Sequence, residues 1–260
     1  MPTIHLMTWN LNERDAALAT FVKHVASRSN RGERFAAALQ ECREDAAAIV
    51  DMVKREGGST IYAMGNGTMS ILCSEPLDDM LPPRDAVGQR LLLTKATLAG
   101  RRFAIVNYHG NADGQAGALD HFERGGCASE ARWRIDNHSQ GAPVIMIGDF
   151  NADPGSSEIT SRYCFSFASQ PSPSSLMSHG RERDKLCVAP PRLPTGIEGT
   201  YRHYTANRGY SWHKLDFIVT GPDLPVQTEV LDILDGSPLT DGTKPTMSDH
   251  LPVAGTMDLT

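Results

Sequence analysis

The sequence predicts an α/β fold in which two β-sheets pack face to face beneath helices. Three observations predict it. Short apolar segments of strand character recur along the whole chain, only a few helical stripes lie between them, and no Gly-rich dinucleotide loop joins a strand to a helix. At 260 residues the chain is long enough for one large domain or two small ones.

Ile4, Leu6 and Thr8 alternate with His5, Met7 and Trp9, so residues 3–10 read as a strand. Leu18, Phe21, Val22 and Val25 then recur at helical spacing, with Asn12 placed as the N-cap. Ala37 to Gln40 is a short apolar run of buried-strand type. Ala46, Ile49, Val50 and Val53 form a second helical stripe, closed by Gly57-Gly58. Strands are expected at 60–64, 68–73, 90–98 and 102–108, and Leu98-Ala99-Gly100-Arg101 suits a hairpin turn. A helical stretch from about 118 to 138 leads into the apolar run Pro143-Val144-Ile145-Met146-Ile147. Residues 165–200 are rich in Ser, Pro and Arg without a period and read as a long loop, a feature more often functional than accidental. Residues 215–219 and 251–256 supply the last strands.

Composition narrows the class. No run of about eighteen apolar residues is present, which excludes a helical membrane span. The N-terminal residues lack the basic and apolar regions of a secretion signal, so none is expected. Five cysteines (Cys42, Cys73, Cys127, Cys164 and Cys187) lack the paired spacing of a zinc cluster or a disulfide framework, and a reducing cytoplasm is expected. A net charge of −6 argues against tight, sequence-blind binding along duplex DNA. The charge is uneven, however: from Arg181 to Lys214, seven basic residues stand against three acidic ones, interleaved with His203, Tyr204, Tyr210, Trp212 and His213. Such a run is either a solvated loop or a substrate-facing surface, since aromatics and cations together stack on and neutralise a nucleotide.

Polar residues of catalytic type sit at the ends of the apolar strands. Asn10 follows the first; Glu41 follows Leu39-Gln40; His109 follows Asn107-Tyr108; Asp149 and Asn151 follow the run 144–147; Asp249 and His250 precede the last. Strand ends that deliver side chains to one rim make a site on rigid supports. Singly, each residue has a structural explanation: a turn former, a helix-start carboxylate, a partnered histidine.

As a set they say more. Thr8-Trp9-Asn10-Leu11-Asn12, Leu39-Gln40-Glu41, Asn107-Tyr108-His109, Gly148-Asp149-Phe150-Asn151-Ala152-Asp153-Pro154, Leu215-Asp216-Phe217-Ile218 and Ser248-Asp249-His250-Leu251-Pro252-Val253 occur in that order. This series resembles the endonuclease/exonuclease/phosphatase superfamily, the fold of pancreatic-type deoxyribonuclease, from Trp9 to Val253. The resemblance implies a four-layered α/β sandwich of two mixed sheets flanked by helices, as one domain over 1–260, with a substrate-specificity region at about 165–214. It also implies a divalent metal, Mg²⁺ or Mn²⁺. Glu41 matches the principal metal carboxylate, with Asn10 and Asp249 completing or supporting the metal and phosphate site. Asp149 matches the residue that orients or deprotonates the attacking water, with Asn151 beside it. His250 matches the histidine on the scissile phosphate, Asp216 its carboxylate partner and His109 a second phosphate-side position.

The chemistry of these residue types agrees. Mg²⁺ takes oxygen ligands and keeps several waters, so one or two carboxylates plus substrate phosphate suffice. Water needs a base or an orienting group for in-line attack, and an imidazolium stabilises the charge that develops. The resemblance thins in places: Asn12 stands where abasic-site enzymes carry Asp, His109 stands for their Tyr, and no inositol-phosphatase stretch precedes Asp216. The leading expectation is therefore a nuclease acting on DNA or RNA. Asn12, Arg202, Tyr204, Trp212 and Lys214 would contact that substrate. The alternative is a phosphatase or phosphodiesterase for a small phosphorylated molecule or lipid headgroup. A third reading, an inactive binding module, sits poorly with the full set of catalytic residue types.

Overall fold

The computed structural model describes residues 2–78, 90–110, 137–151, 165–167, 186–205, 209–221 and 223–259. In chain order the elements are β1 (Thr3–Asn10), α1 (Asp15–Asn30), β2 (Arg34–Gln40), α2 (Ala46–Arg55), β3 (Tyr62–Asn66), β4 (Met69–Cys73), β5 (Leu91–Leu98), β6 (Arg101–His109) and β7 (Val144–Asp149). They continue with β8 (Phe165–Phe167), β9 (Leu186–Ala189), β10 (Tyr201–Thr205), β11 (Gly209–His213), β12 (Asp216–Thr220), β13 (Val226–Val230), β14 (Ile233–Leu234), β15 (Ser237–Pro238) and β16 (Val253–Asp258). One six-stranded sheet has the order β13-β16-β1-β2-β4-β3 and the other β5-β6-β7-β12-β9-β8. Both are mixed, because β1 pairs in parallel with β2 and β6 with β7, whereas most other neighbours are antiparallel.

The period-two alternation of strand side chains sorts each sheet into two faces. Leu6, Ala36, Ile71, Phe103, Ile105, Ile145, Ile147 and Ile218 are all buried in the main core, which joins the inner faces of the sheets and extends to α1 and α2. The alternate residues Ala104, Val106, Met146, Phe217 and Val219 form a second core on the other face of the second sheet. Following the inner rows toward one rim gives Asn10 after Leu6 and Thr8, Asn107 and His109 after Ile105, and Asp149 after Ile147. Asp216 lies at the start of β12, paired with Asp149 across the ladder. The rows that fill the core therefore end in the polar residues.

Local signals account for most boundaries. Asp45 caps α2 by accepting from the Ala48 N–H at 2.7 Å. The helix ends in a two-bond Schellman turn, Gly58 N–H to Val53 O and Gly57 N–H to Lys54 O, with Gly57 in the left-handed region at φ +78°. Ala99 and Gly100, at φ 53° and 80°, form the two-residue turn between β5 and β6, whose handedness suits strand twist.

Two expectations are corrected. Asn12 does not cap α1: the helix starts at Asp15 after Arg14, which makes no side-chain cap bond, and Asn12 instead adopts φ 47° with its N–H bonded to Asn10 Oδ1. The predicted loop 165–200 contains β8 and β9, which extend the second sheet from β12. The strands β10, β11 and β13 to β15 were not anticipated. Most of the predicted helical stretch 118–138 and residues 168–185 lie outside the described residues.

Gly148 shows how closely β6 and β7 meet below the rim. A Cβ at this position would lie 1.8 Å from the Tyr108 carbonyl oxygen, so backbone would have to move. Gly148→Ala is expected to cost about 3 kcal/mol, in the range of core overpacking. A chemical-denaturation midpoint equal to wild type would contradict this packing.

Candidate active site

At the rim Asn10 bridges two carboxylates: its Nδ2 donates to Asp149 Oδ2 at 2.9 Å and to Glu41 Oε1 at 3.3 Å. Its Oδ1 accepts the Asn12 N–H at 2.9 Å. Asp149 is fully buried, and Asn151 holds it from the other side, donating its backbone N–H to Oδ1 at 2.8 Å and its Nδ2 to Oδ2 at 3.2 Å. His109 Nε2 lies 3.4 Å from Glu41 Oε1 and 4.0 Å from Asp149 Oδ2. His250 Nε2 lies 3.8 Å from the same Asp149 oxygen, while its Nδ1 meets Asp216 Oδ2 at 2.8 Å. Glu41, His109, Asp149, His250 and Asp216 thus form one continuous series of contacts.

Their supports come from both sheets. Behind the rim, Thr8 donates to Gln40, Gln40 donates to Asn107 at 2.7 Å, and Asn107 donates to the carbonyls of Leu39 and Ser70. All three side chains are completely buried, and this amide ladder ties β6 to β2 and β4 beside Glu41. Satisfied buried polar groups of this kind specify one arrangement of the strands. Ser248 donates to the Asn10 carbonyl at 2.8 Å and Trp9 Nε1 to the His250 carbonyl at 3.0 Å, which fixes the histidine loop to β1. Glu41, Asn12 and Asn151 have φ of 50°, 47° and 48°. The left-handed region is unusual for Glu, and such backbone persists where surrounding bonds hold it. Here Glu13 N–H donates to the Glu41 carbonyl at 2.8 Å and Cys42 N–H to the Thr68 carbonyl at 2.9 Å.

The electrostatics divide the carboxylates. Burial is the main force raising Asp149 above the usual Asp range, followed by the charge of Asp216, and the two histidines and Asn10 pull the other way. The hydrogen bond from His109 holds Glu41 below the usual Glu range despite partial burial, so Glu41 is ionised near neutral pH. Burial alone would depress His250, but Asp216, then Asp149, outweigh it and raise it to about 10.

Asp149, Asp216 and His250 offer ligand atoms within 4.8 Å of one another. They are a poor cation cage, because an imidazolium with Nδ1 on Asp216 has no lone pair to give. The hard-oxygen donors that suit Mg²⁺ or Mn²⁺ are Glu41, ionised and 37% exposed at the side chain, and the half-buried Asp249. Asn10, expected among the metal ligands, turns its NH₂ toward the carboxylates and its oxygen toward Asn12.

The expected substrate contacts are divided by the β10–β11 hairpin. Arg202 stacks over Tyr210 and Trp212, with its guanidinium carbon 4.7 and 5.3 Å from the ring centres. Strand alternation puts this group on the face opposite Tyr201, whose ring lies 4.6 Å from that of His250. Lys214 is exposed just after β11, and the Tyr204 side chain lies outside the described residues. Sequence reading missed Tyr201. No local signal sets it apart from Arg202, because its place is fixed by pairing with a distant segment: Tyr201 bridges to His250, and Arg202 N–H donates to the Asp249 carbonyl at 3.2 Å.

The comparisons with known proteins agree with this architecture. A model of the Endonuclease/Exonuclease/phosphatase family matches residues 7–250. No curated protein sequence matches the chain. Among solved structures, D. rerio TDP2 complexed with single strand DNA product has a TM-score of 0.62 at 16% identity, covering 99% of each chain. An endonuclease/exonuclease/phosphatase family protein from Leptotrichia buccalis has a TM-score of 0.60 at 13% identity, over 98% of this chain and 100% of that one. A beta toxin from Staphylococcus aureus gives 0.61 at 15%, over 96% of this chain and 98% of that one. At these identities the likeness establishes the fold, the expected α/β sandwich. With the family match running from β1 to His250, the chain belongs to the Endonuclease/Exonuclease/phosphatase family, whose members hydrolyse phosphoesters.

Proposed function

We propose that this protein is a divalent-metal-dependent phosphodiesterase that cleaves DNA or RNA by in-line attack of water. The observation that carries the proposal is the rim itself. An open, ionised carboxylate (Glu41), a buried Asp clamped by two Asn side chains (Asp149) and an imidazolium paired to a second Asp (His250 with Asp216) are linked by contacts of 2.8–4.0 Å. Those are the parts needed to bind a cation, to place a water and to neutralise a phosphoryl group.

Glu41, with Asp249, would hold the cation, which supplies charge neutralisation on the phosphoryl oxygens and orients the substrate when bound. Asp149 accepts a hydrogen bond from the attacking water and takes its proton as the new P–O bond forms; the opposite ester P–O bond breaks, and its leaving oxygen takes a proton from solvent. The two amides on Asp149 fix which lone pair is left for that task. His250 presents its Nε2–H to a non-bridging phosphoryl oxygen, and its charge is maintained by Asp216. His109, between Glu41 and Asp149, adds a second donor on the phosphate side, and Asn10 keeps the two carboxylates from separating. No covalent intermediate on the protein is involved.

A nucleic acid is favoured over a small phosphoester because an aromatic hairpin face adjoins His250. Tyr201 lies against His250, and His203 and His213 lie beyond it at ring separations of 5.9 and 6.1 Å from Tyr201. Stacking on aromatic side chains is the sequence-tolerant way to hold single strands. The test is cleavage of single-stranded DNA, duplex DNA, RNA and small phosphoesters with Mg²⁺ or a chelator, repeated across salt concentrations. Metal-dependent cleavage of a nucleic acid with a steep salt effect is expected. Turnover confined to a small phosphoester would replace the nuclease reading, and metal-independent turnover would overturn the mechanism.

Glu41→Gln keeps the shape but removes the charge. It is expected to weaken Mn²⁺ binding by about 10-fold or more, the loss of one charged ligand. Titration calorimetry of the metal alone reads this directly, and an unchanged isotherm would remove Glu41 from the ligand set.

A further inference from the structure

The β10–β11 hairpin has two chemically different faces. Antiparallel register pairs Tyr201 with His213 and His203 with Ser211, so these four side chains share one face. Arg202, Tyr210 and Trp212 share the other. On the first face Tyr201 Oη meets His203 Nδ1 at 2.9 Å, and Ser211 Oγ meets His213 Nε2 at 2.9 Å. Each hydroxyl can donate to the ring nitrogen it touches, which leaves the ring proton on Nε2 of His203 and on Nδ1 of His213. Both imidazoles are exposed. The face is continuous with the catalytic rim, since Tyr201 bridges to His250 through backbone and packs against its ring.

We propose that this face, rather than the Arg202 and Trp212 face, is a track for the nucleotide flanking the scissile phosphate, with His203 and His213 as hydrogen-bond donors to its phosphate. The proposal rests on the nucleic-acid reading of the site and deepens it. The occupant is a single strand: among the described residues the face is two strands wide, and it begins at the histidine that would touch the scissile group. Tyr201 then has two duties. Its ring carries the stack outward from His250, and its hydroxyl selects the His203 tautomer that points a proton at the ligand. Arg202, stacked over two aromatic rings on the far face, braces the hairpin instead of gripping the strand.

The experiment is fluorescence anisotropy of an end-labelled hexathymidylate, in chelator so that cleavage does not intervene, alongside cleavage assays of the same oligonucleotide with Mg²⁺. The double substitution His203→Ala/His213→Ala removes two exposed donors and is expected to weaken binding about 10-fold, as two modest hydrogen bonds would. Tyr201→Phe keeps the ring but frees His203, and a smaller loss, about 3-fold, is expected from the one misdirected donor. An unchanged dissociation constant in the double variant overturns the track, as does wild type failing to bind the oligonucleotide. Binding that depends on the two histidines without any metal-dependent cleavage would leave the track standing and sink the proposed reaction. Cleavage with histidine-independent binding would do the reverse.

Discussion

Asp149→Ala is expected to lower turnover of a phosphodiester by about 10³-fold, within the range for removal of a positioned general base. The fold should survive. Asp149 is completely buried beside Asp216, and its own ionisation is opposed by burial and by that neighbour. Its removal relieves this conflict, while the side chains of Asn10 and Asn151 keep their other partners, Glu41 and the Gly110 carbonyl. The melting temperature of the purified variant should therefore match or exceed wild type, the usual sign of a residue kept for chemistry at a cost in stability. Turnover within a few-fold of wild type would remove Asp149 from the mechanism. A collapse of the melting temperature would make its role structural.

The second large effect is expected from Asp216→Asn, which keeps the hydrogen-bonding shape beside His250 and deletes the charge. Asp216 is the leading influence raising His250 to about 10. Without it the imidazolium persists only to lower pH, so the alkaline limb of the pH–activity profile should move toward neutrality. At pH 8 turnover should fall by about 10²-fold, the order found when one electrostatic stabiliser of a transition state is lost. The sign for stability follows from the same linkage. His250 is raised from its ordinary 6.5, so its contribution to folding is complete below about 6.5 and is lost as pH climbs through about 10. Wild type should therefore lose stability between those limits more steeply than Asp216→Asn, which is measurable as the melting temperature across that range. Parallel profiles for the two proteins would show that the pair does not share this charge coupling.

Much of the fold was readable in the sequence because strand burial is a local property. Ile4 and Leu6 alternate with the less buried Thr3 and His5 at the start of β1, and the runs at 68–73, 102–108 and 144–147 are apolar because those strands are buried on both faces. The convergence of the predicted polar residues at one rim was readable too. A polar residue such as Asp149 at the end of an inward row, after Ile145 and Ile147, has only the rim to occupy. Other features depended on partners distant in sequence. The short strands β8 and β9 exist by pairing with each other and with β12, which no local period reports. Asn12 has the chemistry of a helix cap and precedes a helix, yet its N–H is claimed by Asn10 and its φ is left-handed.

The sequence by itself determined which residue types could do phosphoester chemistry, their order along the chain and the sandwich that carries them. Tertiary structure alone decided how they are used. It turned Asn10 into a bridge between Glu41 and Asp149, paired His250 with Asp216, and chose Tyr201 over Arg202 as the hairpin residue that meets His250. The physical reason is that a strand's neighbours in sequence point to opposite faces, so a single step of register, set by pairing with a distant segment, determines which side chain reaches the site.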